Sequence, residues 1–297
     1  MSAAWARVAR AWDRFWFGLD ATLPLELVRA GTGIAFLAAY APLTWRLEAL
    51  YSGRGIVPLP DAAAEGWRFS LLDYATTPWQ LALVHALVLA ASAALATGWW
   101  ATPAKWLLLV GHLSYVHRNP GLRYGLDGAL AALIVIICVA PVGRALRLGR
   151  PGPEPPPSAW GSACLRLLQL QVSLTMLASG ARKLEGDSWW GGYAVWVAVT
   201  NDTFANIPVG WLAENFWIVN ALTWFTVLFE LAYPVLIWPR LTRPLMLAGA
   251  LALHAGFGVM MGLYAFSLAM AVAHLAFVPA DWLRKAAAKR CAAADPA

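Results

Sequence analysis

Charged side chains are scarce in this sequence. Asp, Glu, Lys and Arg make up 13% of its 297 residues, about half the share of a soluble globular domain. Against 60% hydrophobic residues and a mean hydropathy of +0.59, that shortage excludes a water-soluble globule and a disordered chain. Cysteine is scarce too. Cys138, Cys164 and Cys291 lie far apart, which excludes a disulfide framework and any cysteine-based metal motif, so no metal site is expected. The opening MSAAWARVARAWDRFWFGLD lacks a continuous apolar core and an A-x-A site, so no cleavable signal peptide is expected there. With so apolar a chain, the net charge of +6 points to the cytoplasmic flanks of a membrane protein and not to nucleic acid.

What the sequence has in abundance is apolar runs and tryptophan. Eighteen tryptophans suit the belts at the two membrane interfaces. The runs predict an all-α, polytopic membrane bundle of about eight transmembrane helices forming one domain over 1–297. The spans fall at roughly 25–45, 79–98, 103–118, 124–143, 160–182, 215–238, 244–261 and 265–283, each near the length a bilayer requires. The third is short and polar and is expected inside the bundle. Residues 1–20 place Trp5, Val8, Trp12, Phe15, Trp16 and Leu19 opposite Arg7, Arg10 and Arg14, the pattern of an interfacial amphipathic helix. WRFSLLDYATTPW and WWGGYAVWVAVTNDTF read as short interfacial or re-entrant helices. Prolines make 144–159 an extended linker, and 284–297 form a tail. With the N-terminus inside, cytoplasmic segments hold 13 Lys and Arg against 7 on the other side. Both termini, the linker and the tail are therefore expected in the cytoplasm, with a bacterial-type inner membrane as the setting.

Ionisable groups inside spans are costly and mark candidate function. His85 falls about 9 Å below the outer surface at 1.5 Å per residue. The densest segment is HLSYVHRNPGLRYGLDG, where Asn119-Pro120-Gly121 signals a turn and Arg123 and Asp127 stand i, i+4. They either neutralise each other at a hairpin apex or form part of a polar cradle with Asn119 and Tyr124. In SGARKLEGDSWWGG, Lys183 ends an apolar helix. It is either a snorkelling anchor or, if buried against the bundle, an amine whose neutral form serves as a general base. His254 either bonds across helices beside close-packing glycines or takes part in a site. Glu230, one turn before Pro234, either pairs with an arginine or stays protonated. No spacing signature supports heme ligation.

Four stretches, WRFSLLD, HRNPGLRYGLDG, SGARKLEGDSWWGG and ELAYP…LHAGFGVMMGLYAFSLAM, follow in an order that resembles the horizontally transferred transmembrane (HTTM) domain family, which includes the vitamin K-dependent gamma-glutamyl carboxylases. The resemblance runs from about residue 23 to 283. It implies an active site facing the lumen or periplasm, a reduced menaquinone- or vitamin K-type hydroquinone as cofactor, and Lys183 as the base acting on it. It also implies assisting roles for Asn119 and His254, and aligns Tyr124-Gly125 with a tyrosine-glycine pair. Tyr124, His85 and Trp189 are the expected cofactor-binding residues. Pro120 departs from the carboxylase pattern, which has histidine there, and no lumenal propeptide-binding domain is evident, which weighs against peptide carboxylation.

Three functions follow as expectations: a quinone-using membrane enzyme of carboxylase (lyase) type; a non-catalytic accessory or binding partner for an exported peptide or redox protein; and a small transporter. The last is weakest, because no inverted repeat is evident. Expected partners are membrane lipids and a peptide or separate soluble domain.

Overall fold

The computed structural model describes residues 3–19, 22–57, 68–149, 152–154 and 156–285. The N-terminal part of the tail is therefore described, whereas 286–297 and the linker residues 150, 151 and 155 lie outside it. Among the described residues the chain is all-helical, with no strand. The helices are α1 (Ala3–Phe17), α2 (Leu23–Tyr40), α3 (Leu47–Tyr51), α4 (Pro78–Thr97), α5 (Ala101–Arg118), α6 (Gly125–Val139) and α7 (Ala159–Lys183). They continue with α8 (Asp187–Trp190), α9 (Ala194–Val199), α10 (Trp211–Glu214), α11 (Phe216–Leu236), α12 (Arg243–Met261) and α13 (Tyr264–His274). Four segments are long and apolar enough to cross a membrane: Leu23–Tyr51, Pro78–Thr97, Phe216–Leu236 and Arg243–Met261. The protein is thus read as an integral membrane protein. The other four expected spans are helical as well. Gly125–Val139 and Tyr264–Phe277 are apolar but short. α5 carries Lys105, His112, His117 and Arg118, and α7 carries Arg166, Arg182 and Lys183, which lower their hydropathy.

Local chemistry sets the helix ends. Gln80 reaches back over the start of α4, its Oε1 accepting the Thr77 N–H at 3.1 Å, with Pro78 occupying the first turn. Gly98 ends that helix at φ +82°, a left-handed conformation that favours glycine. Asp127 accepts the Tyr124 N–H at 2.8 Å and so caps α6. Pro234 sits inside α11. Having no N–H, it leaves the Glu230 carbonyl without its helical partner.

The described residues form two compact units, one of those up to 166 together with 278–285, the other of 167–277. In the first, α2, α4, α5 and α6 pack side by side. The backbone of α4 at Ser92 and Ala96 lies so close to Gly33 that no Cβ would fit there. An internal clip fixes the end of α6. Buried Glu26 accepts the Gly143 and Arg144 N–H groups at 2.8 and 2.9 Å and pairs with Arg29 at 2.9 Å. Arg29, equally buried, donates to the carbonyls of Leu95 and Leu146. The pair satisfies backbone groups that water cannot reach, which is how a buried ion pair offsets its desolvation cost. In the second unit, α11, α12 and α13 pack in sequence beside α9. Val199, Val209, Leu212 and Val219 form a core cluster.

Candidate functional site

Lys183 ends α7, and its helix faces α11. Its Nζ donates to Ser179 Oγ at 2.8 Å, to Glu230 Oε2 at 2.8 Å and to Glu230 Oε1 at 3.0 Å. The Lys183 and Glu230 side chains are 17% and 3% exposed respectively, so the pair is turned into its unit. The small-residue run before Lys183 makes this possible: Gly180 lies directly against the Glu230 and Leu231 side chains. The indole of Trp189 lies beneath the ammonium, with its ring centroid 5.2 Å from Nζ, a cation–π contact. The expectation left Glu230 between an arginine partner and protonation; its partner is Lys183. The acids nearest Lys183 in sequence are Glu185 and Asp187, yet the carboxylate on it comes from 47 residues away.

Trp189 also walls a cavity of about 170 Å³. Phe225 and Thr226 of α11, Leu253 and Phe257 of α12, and Val195 of α9 line it, and the walls are almost wholly apolar. Gly256 opens onto the cavity with nothing within 4 Å of an added Cβ.

His254 and His274 meet on facing helices of the same unit. Their ring centroids are 5.3 Å apart, and the Tyr233 hydroxyl bonds His274 Nδ1 at 2.6 Å. Both nitrogens of His254, and Nε2 of His274, have no hydrogen-bond partner among the described residues. The expected bond across helices from His254 is therefore not there; Phe257 and Phe266 present their edges to the ring instead.

In the first unit, the hairpin after α5 and the end of α2 form a second polar centre. Tyr40, Tyr51, Tyr115, Asn119, Tyr124 and Asp127 line a cavity of about 210 Å³. The Asn119 amide donates to the Leu50 carbonyl at 2.9 Å. His85 is held at both nitrogens, by the Tyr115 hydroxyl at 2.6 Å and by Thr44 Oγ1 at 2.9 Å. His112 bonds the Tyr40 hydroxyl at 2.7 Å and the Asp127 carbonyl at 3.0 Å. Of the two readings of Arg123 and Asp127, mutual pairing is not made: Asp127 caps Tyr124, and Arg123 Nε reaches the Pro120 carbonyl at 3.4 Å. Arg118 binds the carbonyls of Tyr51, Ser52 and Val57, tying the hairpin to the segment after α3.

The structure thus brings Asn119 and Tyr124 to one cavity, with His85 bonded to one of its walls. Lys183 and Trp189 meet in the second unit, which also holds His254. Sequence reasoning missed the tyrosines Tyr40, Tyr51 and Tyr115. A signal existed in Tyr40 and Tyr115, each interrupting an apolar run, but their convergence depends on helix packing. Among the described residues, no group of three or more His, Cys, Asp or Glu could hold a metal.

Comparison with known proteins gives one finding. No curated protein and no solved structure matches the chain. The hairpin residues Asn119 and Tyr124 stand outside the segment matched by a family model. That model, of the HTTM domain, matches residues 158–282, the stretch holding Lys183, Trp189, Glu230 and His254, and it bears out the resemblance there.

Proposed function

We propose that this protein is a membrane-embedded enzyme resembling the vitamin K-dependent carboxylase core, acting on the extracytoplasmic side with Lys183 as general base. On this reading all eight expected spans, α2, α4–α7 and α11–α13, cross a bacterial-type inner membrane, with both termini in the cytoplasm. The observation that carries it is the placement of Lys183: an anchoring lysine would point its ammonium to the interface, whereas this one is turned inward onto Glu230, Ser179 and Trp189.

The cofactor is a reduced menaquinone- or vitamin K-type hydroquinone, and the residues fit it. Trp189 offers an aromatic face beside the basic group, and the apolar cavity it walls has room for an aromatic ring or an isoprenoid segment. His254, next in sequence to the cavity residue Leu253, has no partner at either nitrogen among the described residues, and an imidazole can donate to and accept from ring oxygens. Bound there, the hydroquinone would supply the reducing power of the reaction. Lys183 would take a hydroxyl proton there; the roles that the resemblance gives Asn119, Tyr124 and His85 belong to the polar cavity of the first unit. The substrate class is an exported peptide or a separate soluble domain.

A second reading has its own support. All three N–H bonds of Lys183 end on Ser179 and Glu230, which also suits a structural ion pair in a non-catalytic accessory protein that binds an exported peptide or redox protein.

The experiment adds menadiol, under argon, to the full chain in lipid nanodiscs. The catalytic reading expects the red shift in absorbance that accompanies loss of a hydroxyl proton, and expects Lys183→Arg to abolish it. A shift retained in Lys183→Arg makes the lysine an anchor and favours the second reading.

A further inference from the structure

A lysine ammonium cannot act as a base until it loses a proton, and at Lys183 the routes for that loss are few. Its three N–H bonds are accounted for by Ser179 Oγ and the two oxygens of Glu230. A serine hydroxyl is a feeble proton acceptor; a carboxylate is not. Glu230 is nearly sealed from solvent, at 3% side-chain exposure. In so apolar a place the ionised pair and the neutral pair approach each other in free energy, because desolvation penalises both charges of the ionised form.

We propose that Glu230 is the proton acceptor that frees Lys183, so that the two residues work as one acid–base couple; this rests on the reading of Lys183 as base. In the first step an N–H bond of the ammonium breaks and an O–H bond forms on Glu230, leaving an amine and a carboxylic acid. In the second, the amine lone pair takes the proton of the substrate's acidic hydroxyl. The site then holds an ammonium, an anionic oxygen and a neutral acid. Its net charge is zero before, between and after these steps, so no uncompensated charge arises inside the membrane. Glu230 in its neutral form also releases Lys183 to pair with the new anion. When that anion departs, the Glu230 proton passes to the aqueous phase, and the proton released equals the one taken from the substrate.

Local structure favours this role for Glu230. Gly180 brings the α7 backbone against its Cβ, which holds the carboxylate in reach of Nζ. Glu185 and Asp187, the other acids near Lys183 in sequence, make no bond to it.

The test is infrared difference spectroscopy of the full chain in nanodiscs on adding menadiol under argon, with the visible absorbance recorded from the same sample. The proposal expects a carboxylic acid C=O band to rise together with the red shift of menadiol. The band should move when the protein carries isotope-labelled glutamate, which assigns it to a glutamate in the unaltered chain, and should be missing in Glu230→Gln but kept in Glu185→Gln. A red shift without a carboxylic acid band overturns the role of Glu230 and leaves Lys183 as base. Absence of the red shift overturns the reading of Lys183 itself, and the couple with it.

Discussion

Gly180 stands against Glu230 so closely that an added Cβ would lie 3.1 Å from the Glu230 Cβ and 3.1 Å from Leu231 Cγ. The contact sets the distance between α7 and α11, and with it the bond between Lys183 and Glu230. Gly180→Leu is expected to force the helices apart at a cost of about 1–3 kcal/mol, the usual range for overpacking. Thermal denaturation in detergent measures the loss; an unchanged Tm would mean that the helices do not meet at Gly180.

The clip in the first unit predicts a paired mutational response. Glu26→Ala leaves the Arg29 guanidinium buried without its carboxylate, which costs about 3–5 kcal/mol, and the variant is expected to accumulate poorly. Glu26→Ala with Arg29→Met removes both charges and should recover part of the loss. Equal damage in the single and double variants would show that the backbone bonds to Gly143 and Arg144, and not the ion pair, hold the fold.

His254 gives the opposite sign. Its ring is buried with neither nitrogen bonded among the described residues, a burden of about 1–3 kcal/mol for an unsatisfied group. His254→Phe replaces the ring with an apolar one of similar shape among Phe257 and Phe266. Its Tm is expected to hold or rise. A marked fall would reveal that the imidazole has a partner.

Topology is open to labelling. Leu148 is 70% exposed at the start of the linker, while Cys138 and Cys164 are buried. With Cys291 replaced by Ser, a Leu148→Cys variant should react with an impermeant maleimide only after the inner membrane is opened. Reaction in intact spheroplasts would reverse the orientation.

The helical architecture was legible because apolar runs and turn residues act locally: Thr77-Pro78 starts α4 and Gly98 stops it, as their chemistry requires. Partners were not legible. Lys183 and Glu230 are distant in sequence, and nothing in the spacing of either says that α7 and α11 adjoin. The sequence showed a lysine that was either anchor or base, with Glu185 and Asp187 as its neighbours; packing supplied a different carboxylate. The i, i+4 spacing of Arg123 and Asp127 left a mutual pairing open that the fold does not use, for a related reason. At a helix start, an aspartate that can cap the free backbone N–H groups does so in preference to an exposed ion pair. The polar residues that lower the hydropathy of α5 proved to be bonded inside the first unit, with Lys105 on the Ala140 carbonyl and His112 on Tyr40.

On the proposed function, Lys183 faces a quinol and not merely its own carboxylate. The most direct measurement is a structure of the full chain purified in native lipid with endogenous ligands retained. The account predicts density for a quinone-type ring beside Trp189, with an oxygen within hydrogen-bond distance of Lys183 Nζ. A Lys183–Glu230 pair closed off from any ligand, with only lipid acyl chains in the Trp189 cavity, would contradict it.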